Sequence, residues 1–271
     1  MVELAGRYAG LMKNLSRRAL AQIAPLALVI PHSLKSQTLT DAPSSGGWPV
    51  QSPELAREMV TVAHGNLKRT RELVEARPSL ANAAIDWGFG DWETALGGAS
   101  HVGNREIAEF LIANGARPTL FSAAMLGHLD VVRAMIIAQP GAQKIRGPHS
   151  ISLLSHARAG GVKAEPVFRY LESLGDAGSP PPVPVGDADR QAIIGVWTYG
   201  SGPNQTVEIK EDRNALTFVR TGVASRNLNH LGNLEFFPAG GNAVRIRFSK
   251  AATGMVLTVH DPDLVMRAEK K

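Results

Sequence analysis

One phrase recurs with variation through the middle of this 271-residue chain, and few folds can accommodate it. Its clearest copy is Thr94-Ala-Leu-Gly-Gly-Ala-Ser-His-Val-Gly103-Asn-Arg-Glu-Ile-Ala-Glu-Phe-Leu-Ile-Ala-Asn-Gly115-Ala-Arg-Pro118. Thr94 is placed to cap a helix N-terminus, and Gly103 to end that helix in the left-handed conformation. Ile107, Phe110 and Leu111 form the apolar stripe of a second helix, which Gly115 stops. A helix pair this short cannot cover its own apolar face, so copies must stack side by side.

Other copies align on the same glycine: Thr61-Val-Ala-His-Gly65 with Leu67–Val74, Ala123-Ala-Met-Leu-Gly127 with Leu129–Ile136, and Ser152–Gly161 with Val167–Leu171. The Thr-x-Leu opening at Thr94–Leu96, Ala123–Ala124, Gly127–His128 and the Asn114–Pro118 ending together resemble ankyrin repeats, covering about residues 53–177. That resemblance implies about four repeats with a period near 33 residues. The glycine spacings here are 38, 24 and 34. The short spacing leaves no room for a β-finger between the second and third pairs. The long one leaves room for an enlarged finger over Asn82–Glu93.

Composition divides the rest. The segment Gly175–Asp189 is rich in proline and glycine, which predicts a semi-rigid linker over 178–189. The net charge of +5 is uneven: residues 53–189 carry 13 Lys/Arg against 15 Asp/Glu, and residues 190–271 carry 11 against 7. A slightly acidic repeat surface argues against nucleic acid as the partner. Near the N-terminus, Ser16-Arg17-Arg18 precedes a moderately apolar run to Ile30, which resembles a twin-arginine export signal. That implies an extracytoplasmic, periplasmic location; a plain tail and a cytoplasmic location is the alternative. The run is shorter than the about 20 residues of a membrane span. The absence of cysteine removes disulfides and thiolate metal sites.

From about Ile193 the period becomes alternating. Expected strands are Thr206–Lys210, Ala215–Arg220, Leu234–Phe237, Val244–Phe248, Met255–Val259 and Leu264–Arg267, giving a small antiparallel barrel or sandwich over 190–271. Ile194-Gly-Val-Trp-Thr-Tyr199, Phe236–Pro238, Val244–Phe248 and Gly254–His260 resemble the small lipocalin-like β-domain appended to bacterial serine hydrolases. Trp197 stands where that family has tyrosine. The resemblance implies an accessory module without catalytic residues. The expected fold class is therefore α + β in separate domains, a helical ankyrin-type solenoid followed by a small β-barrel, with residues 1–52 as targeting segment and linker.

No catalytic constellation emerges. Ser155 and His156 are neighbours in sequence and point about 100° apart on a helix. Gly88-Phe-Gly90 lacks the strand-to-helix context of a nucleotide loop. His64, His101 and His156 sit near equivalent positions of successive pairs. Zinc needs its ligands converging at about 2 Å, whereas neighbouring helices stand about 10 Å apart. Neither a metal nor a cofactor is expected. The candidate contact residues for a protein partner are the finger tip and the helix ends, namely Asp86, Trp87, Phe89, Trp92, Glu93, His101, Val102, Met125 and Leu126. Trp87 and Trp92 can equally cover the finger or pack on the β-domain, and Met125 and Leu126 can belong to the inter-repeat core. The expected function is a monomeric, non-enzymatic interaction scaffold. The alternatives are a small-molecule sensor using the barrel, or an accessory subunit of an exported hydrolase.

Overall fold

Six of the short helices begin at a side chain that accepts a hydrogen bond from an otherwise orphaned backbone N–H. In a computed structural model that describes residues 50–271 apart from 224, 253, 263 and 271, Ser52 caps α1 (Pro53–Val62) and Asn66 caps α2 (Leu67–Ala76). Thr94 caps α3 (Ala95–His101) by accepting from the Gly97 N–H at 2.9 Å, and Asn104 caps α4 (Arg105–Ala113). Thr119 and Ser122 form a capping box on α5 (Leu120–Leu126), which pairs with α6 (Leu129–Ala138). Ser152 caps α7 (Leu153–Ala159), which pairs with α8 (Glu165–Leu174). The proposed export signal at Ser16, Arg17 and Arg18 lies outside the described residues.

The first helices of successive pairs pack against one another, α1 on α3, α3 on α5 and α5 on α7. Gly103 turns the chain between α3 and α4 at φ 78°, and a Cβ there would collide with the Ala159 carbonyl. Ile107 and Leu111 are fully buried, with Phe110 packed beside them. Arg105 from α4 donates to the Met125 and Leu126 carbonyls at 3.1 Å, closing the C-terminal end of α5.

Between α2 and α3 the chain forms a hairpin of β1 (Ala84–Asp86) and β2 (Trp92–Thr94), with Ile85 opposite Glu93. Both strands bury their middle residue, so Ile85 and Glu93 point the same way, toward the helices. Between α4 and α5 there is no strand, as the short spacing requires.

The C-terminal segment is a closed barrel of β3 (Gly195–Thr198), β4 (Thr206–Asp212), β5 (Ala215–Arg220), β6 (Arg226–Gly232), β7 (Glu235–Pro238), β8 (Arg245–Ala251), β9 (Gly254–Asp261) and β10 (Leu264–Lys270). All neighbours are antiparallel, and β10 closes the sheet on β3 through Glu269 opposite Thr198. Two strands, β3 and β6, are additional to the six that alternation predicts. In β6 the inward face starts with Arg226 and Leu228, so a buried arginine hides the apolar alternation. The interior is filled by Trp197, Ile209, Phe236, Ile246, Phe248 and Leu257. Helix α9 (Asp187–Ile193) begins inside the segment expected to be linker, and its Ile193 carbonyl accepts from Trp197 Nε1 at 3.0 Å.

Residues 50–271 form one compact unit. The finger tip and the loop before α7 join the repeats to the barrel. Phe89 meets Phe218 edge-on with centroids 6.1 Å apart, Asp91 pairs with Arg226, and Ser150 Oγ accepts from the Gly240 N–H at 2.7 Å.

Candidate metal centre

The finger that buries Ile85 also buries Glu93, whose carboxylate has no exposed side-chain surface. A carboxylate in such a place must be compensated. Three imidazoles surround it. His101, the last residue of α3, places Nε2 2.9 Å from Glu93 Oε1. His64, just beyond α1, places Nε2 3.6 Å from Glu93 Oε2 and 3.0 Å from His101 Nε2. His149, in the loop before α7, places Nε2 3.4 Å from Glu93 Oε2. One donor atom from each of the four residues lies within 4.8 Å of all the others.

The surrounding shell orients these donors. His64 Nδ1 donates to the Val60 carbonyl at 2.9 Å, which leaves the Nε2 lone pair facing the cluster. His149 Nδ1 donates to Asp91 Oδ2 at 2.7 Å, and the His149 backbone N–H donates to Asp91 Oδ1 at 2.8 Å. Arg226, from β6 of the barrel, in turn donates to Asp91 Oδ2. Trp87 Nε1 donates to Glu93 Oε2 at 2.7 Å. Glu93 Oε1 is buried with no aligned hydrogen-bond donor.

The backbone concedes local stability to this geometry. His149 and Ser150 both adopt left-handed conformations, φ 58° and 61°, which cost a non-glycine residue roughly 1–2 kcal/mol each. Inside α3, Gly98 lies under the His64 ring, and a Cβ there would come 2.8 Å from Cε1 and 2.9 Å from Nδ1.

Charge is shared unevenly across the cluster. Burial pushes the Glu93 carboxyl up, but the His101 and His149 rings beside it outweigh that and hold it at about 2. Burial likewise raises Asp91, while the His149 side chain and backbone and Arg226 bring it below the usual carboxylate range. The Asp91 hydrogen bond, and then Glu93, raise His149 to about 9 against the effect of burial. His156, deeper between the helix pairs, is fully buried and goes the other way. Burial pushes it down to about 4, with Nδ1 donating to the Ser152 carbonyl at 2.9 Å and Nε2 unpartnered.

The expected contact residues separate into groups. Trp92 and Val102 are exposed, at 65% and 47%. Asp86 accepts from the Gly88 N–H at 2.7 Å and shapes the finger turn. Trp87 packs on the helical core and orients Glu93. Phe89 is half-buried and packs against the barrel. Met125 and Leu126 are buried in the inter-repeat core, because α5 is flanked by α3 and α7 and has no free face. Glu93 is buried, and His101 turns inward to meet it.

The spacing argument against convergent histidines holds for backbones and fails for these rings. His64 directly precedes its turn glycine and His101 stands two residues before its own, so the rings lean toward each other, with centroids 4.9 Å apart. His156, the third histidine of that series, is not in the cluster. Its place is taken by His149 and Glu93 from connecting segments. Asp91, Arg226 and His149 were not among the expected site residues. The available signal was a carboxylate at the buried register of a hairpin, together with paired glycines inside a short helix.

Compared with models of known protein families and with curated proteins, the chain has no match. Among the described residues, no helix is long and apolar enough to cross a membrane.

Proposed function

We propose that this protein binds one divalent transition-metal ion of the zinc(II) type through His64, His101 and His149 Nε2 and the Glu93 carboxylate. The observation that carries the reading is the mutual spacing of the four donors. A tetrahedral shell with bonds of about 2.0–2.2 Å places its donors about 3.3–3.6 Å apart. Here His101 Nε2 stands 2.9 Å from Glu93 Oε1 and 3.0 Å from His64 Nε2, His149 and His64 Nε2 stand 3.4 and 3.6 Å from Glu93 Oε2, and the four donors lie within 4.8 Å of one another. Imidazole nitrogen with a single carboxylate suits zinc(II), cobalt(II) or copper(II) better than the all-oxygen cations. The carboxylate–histidine pair Asp91–His149 and the carbonyl-bound His64 are the outer-shell partners such ligands ordinarily have.

An ion-pair cluster without metal is the competing account, with protonated His149 held between two carboxylates. It requires the single N–H of a neutral His101 Nε2 to serve both His64 Nε2 at 3.0 Å and Glu93 Oε1 at 2.9 Å, and it leaves Oε1 without an aligned donor. Titration of chelator-treated protein with cobalt(II) decides between them. The metal reading expects visible d–d absorption saturating at one ion per chain, abolished in His101→Ala. Featureless spectra with an unchanged melting temperature would sink it.

In this reading the helix pairs are an irregular ankyrin-type array and the barrel a lipocalin-like module, with the enlarged finger supplying a ligand. A second reading, an interaction scaffold, is favoured by one observation: Trp92 stands 65% exposed on the outer side of the same finger, with Val102 also exposed at the end of α3.

A further inference from the structure

Beside the cluster lies a cleft of about 420 Å³ lined by Thr61, His64, Trp87, His149, Ser225 and Arg226. Two of the four proposed metal ligands are therefore part of its wall. A structural metal site is closed by protein on all sides, whereas a reactive or ligand-exchanging one keeps a face open to a cavity. The cleft is also of the size that holds small molecules.

Its polar wall selects for charge. Arg226 is 6% exposed, and its Nη1 donates to Asp91 and to the Ala239 carbonyl at 3.1 Å. Its Nη2 is buried without any hydrogen-bond partner. An unpaired guanidinium N–H is costly in a buried place and is well matched to an oxyanion. The Ser225 hydroxyl stands next to it in sequence, and the Arg57 guanidinium lies over the Trp87 ring at 5.5 Å. With a divalent ion on His64, His101, His149 and Glu93, the two carboxylates Asp91 and Glu93 do not balance the positive charge of the ion and the two arginines.

We propose that this cleft binds a small oxyanion, the phosphate or carboxylate group of an organic molecule. One oxygen adds to the metal as a fifth ligand from the cleft side, beside His64 and His149, and Arg226 provides the counter-charge from the barrel. The inference rests on the metal reading, and it makes the centre one that exchanges ligands. The barrel acquires a role in it, because Arg226 lies on β6 and reaches both the cleft and Asp91.

The test uses the full-length protein loaded with cobalt(II). Titration with inorganic phosphate, and separately with acetate, is followed by the d–d bands. The expected result is a saturable spectral change with at least one of the two anions, the responding anion identifying the group. In Arg226→Lys, measured on protein saturated with cobalt(II), that anion's dissociation constant rises at least tenfold. Strong cobalt(II) binding with spectra indifferent to both anions overturns the oxyanion proposal and leaves the metal site standing. Absence of any cobalt(II) spectrum removes the metal reading itself. An anion response undiminished in Arg226→Lys, with that variant folded by circular dichroism, also overturns the proposal.

Discussion

Alanine in place of Gly98 should weaken metal binding while leaving the fold nearly as stable as before. On helix propensity alone the substitution in α3 is favourable by about 1 kcal/mol. Against that, the new Cβ would stand 2.8 Å from His64 Cε1 and 2.9 Å from Nδ1, closer than side-chain carbons approach. The helix backbone is packed between α1 and α5 and has no room to retreat, so the ring must swing away. Moving it breaks the hydrogen bond to the Val60 carbonyl, worth about 0.5–1.5 kcal/mol. An off-rotamer ring would cost about 0.5–1.5 kcal/mol more. The net stability change then lies between about zero and 2 kcal/mol of destabilisation. Loss of an outer-shell partner ordinarily lowers metal affinity about 10–100-fold, and displacing a ligand should cost at least as much. Competition of zinc(II) against a chromophoric chelator measures the affinity, and urea unfolding of metal-free protein measures stability. If Gly98→Ala binds zinc(II) as tightly as the parent, the His64 ring is not a ligand and the geometric reasoning is refuted.

Three further outcomes are expected. Trp87→Phe keeps the aromatic body but removes the N–H that holds Glu93, so zinc(II) affinity should fall about 10–100-fold with little loss of stability; an unchanged affinity would deny Trp87 its orienting part. His156 is held at about 4 in the folded chain against an ordinary 6.5, so the unfolded chain takes up its proton first as pH falls. Its contribution is intact above about pH 6.5 and is lost progressively toward pH 4, amounting to at most roughly 3 kcal/mol. Urea midpoints across that range should therefore fall less steeply in His156→Gln than in the parent. Trp92→Ala should change stability by no more than about 0.5 kcal/mol, because most of the ring is already in water. A larger loss in thermal melts would make Trp92 structural and weaken the scaffold reading.

Local rules are what the sequence by itself determined. Thr94, Asn104 and Thr119 announce helix starts because a short polar side chain there satisfies a backbone N–H within three residues. Gly103 and Gly115 announce stops because positive φ is cheap only without a Cβ. The glycine spacings foretold both the hairpin over 82–93 and the absence of strands between α4 and α5, and alternation foretold six of the eight barrel strands. All of these depend on residues close together in the chain.

The His–Glu cluster proposed to hold the metal depends on none of them. Glu93, His64, His101 and His149 come from a finger strand, two helix ends and a loop, and the outer shell adds Arg226 from a strand 135 residues beyond Asp91. Four departures from local rules build it: the charge of Glu93 at a buried hairpin position, Gly98 inside a helix, left-handed His149, and Arg226 on the inner face of a strand. Those departures hid β6 from its alternation pattern and made Glu93 look like a surface contact. Only packing the finger between helices and barrel turns them into one compensated cluster, because desolvation makes each group costly alone and tolerable together.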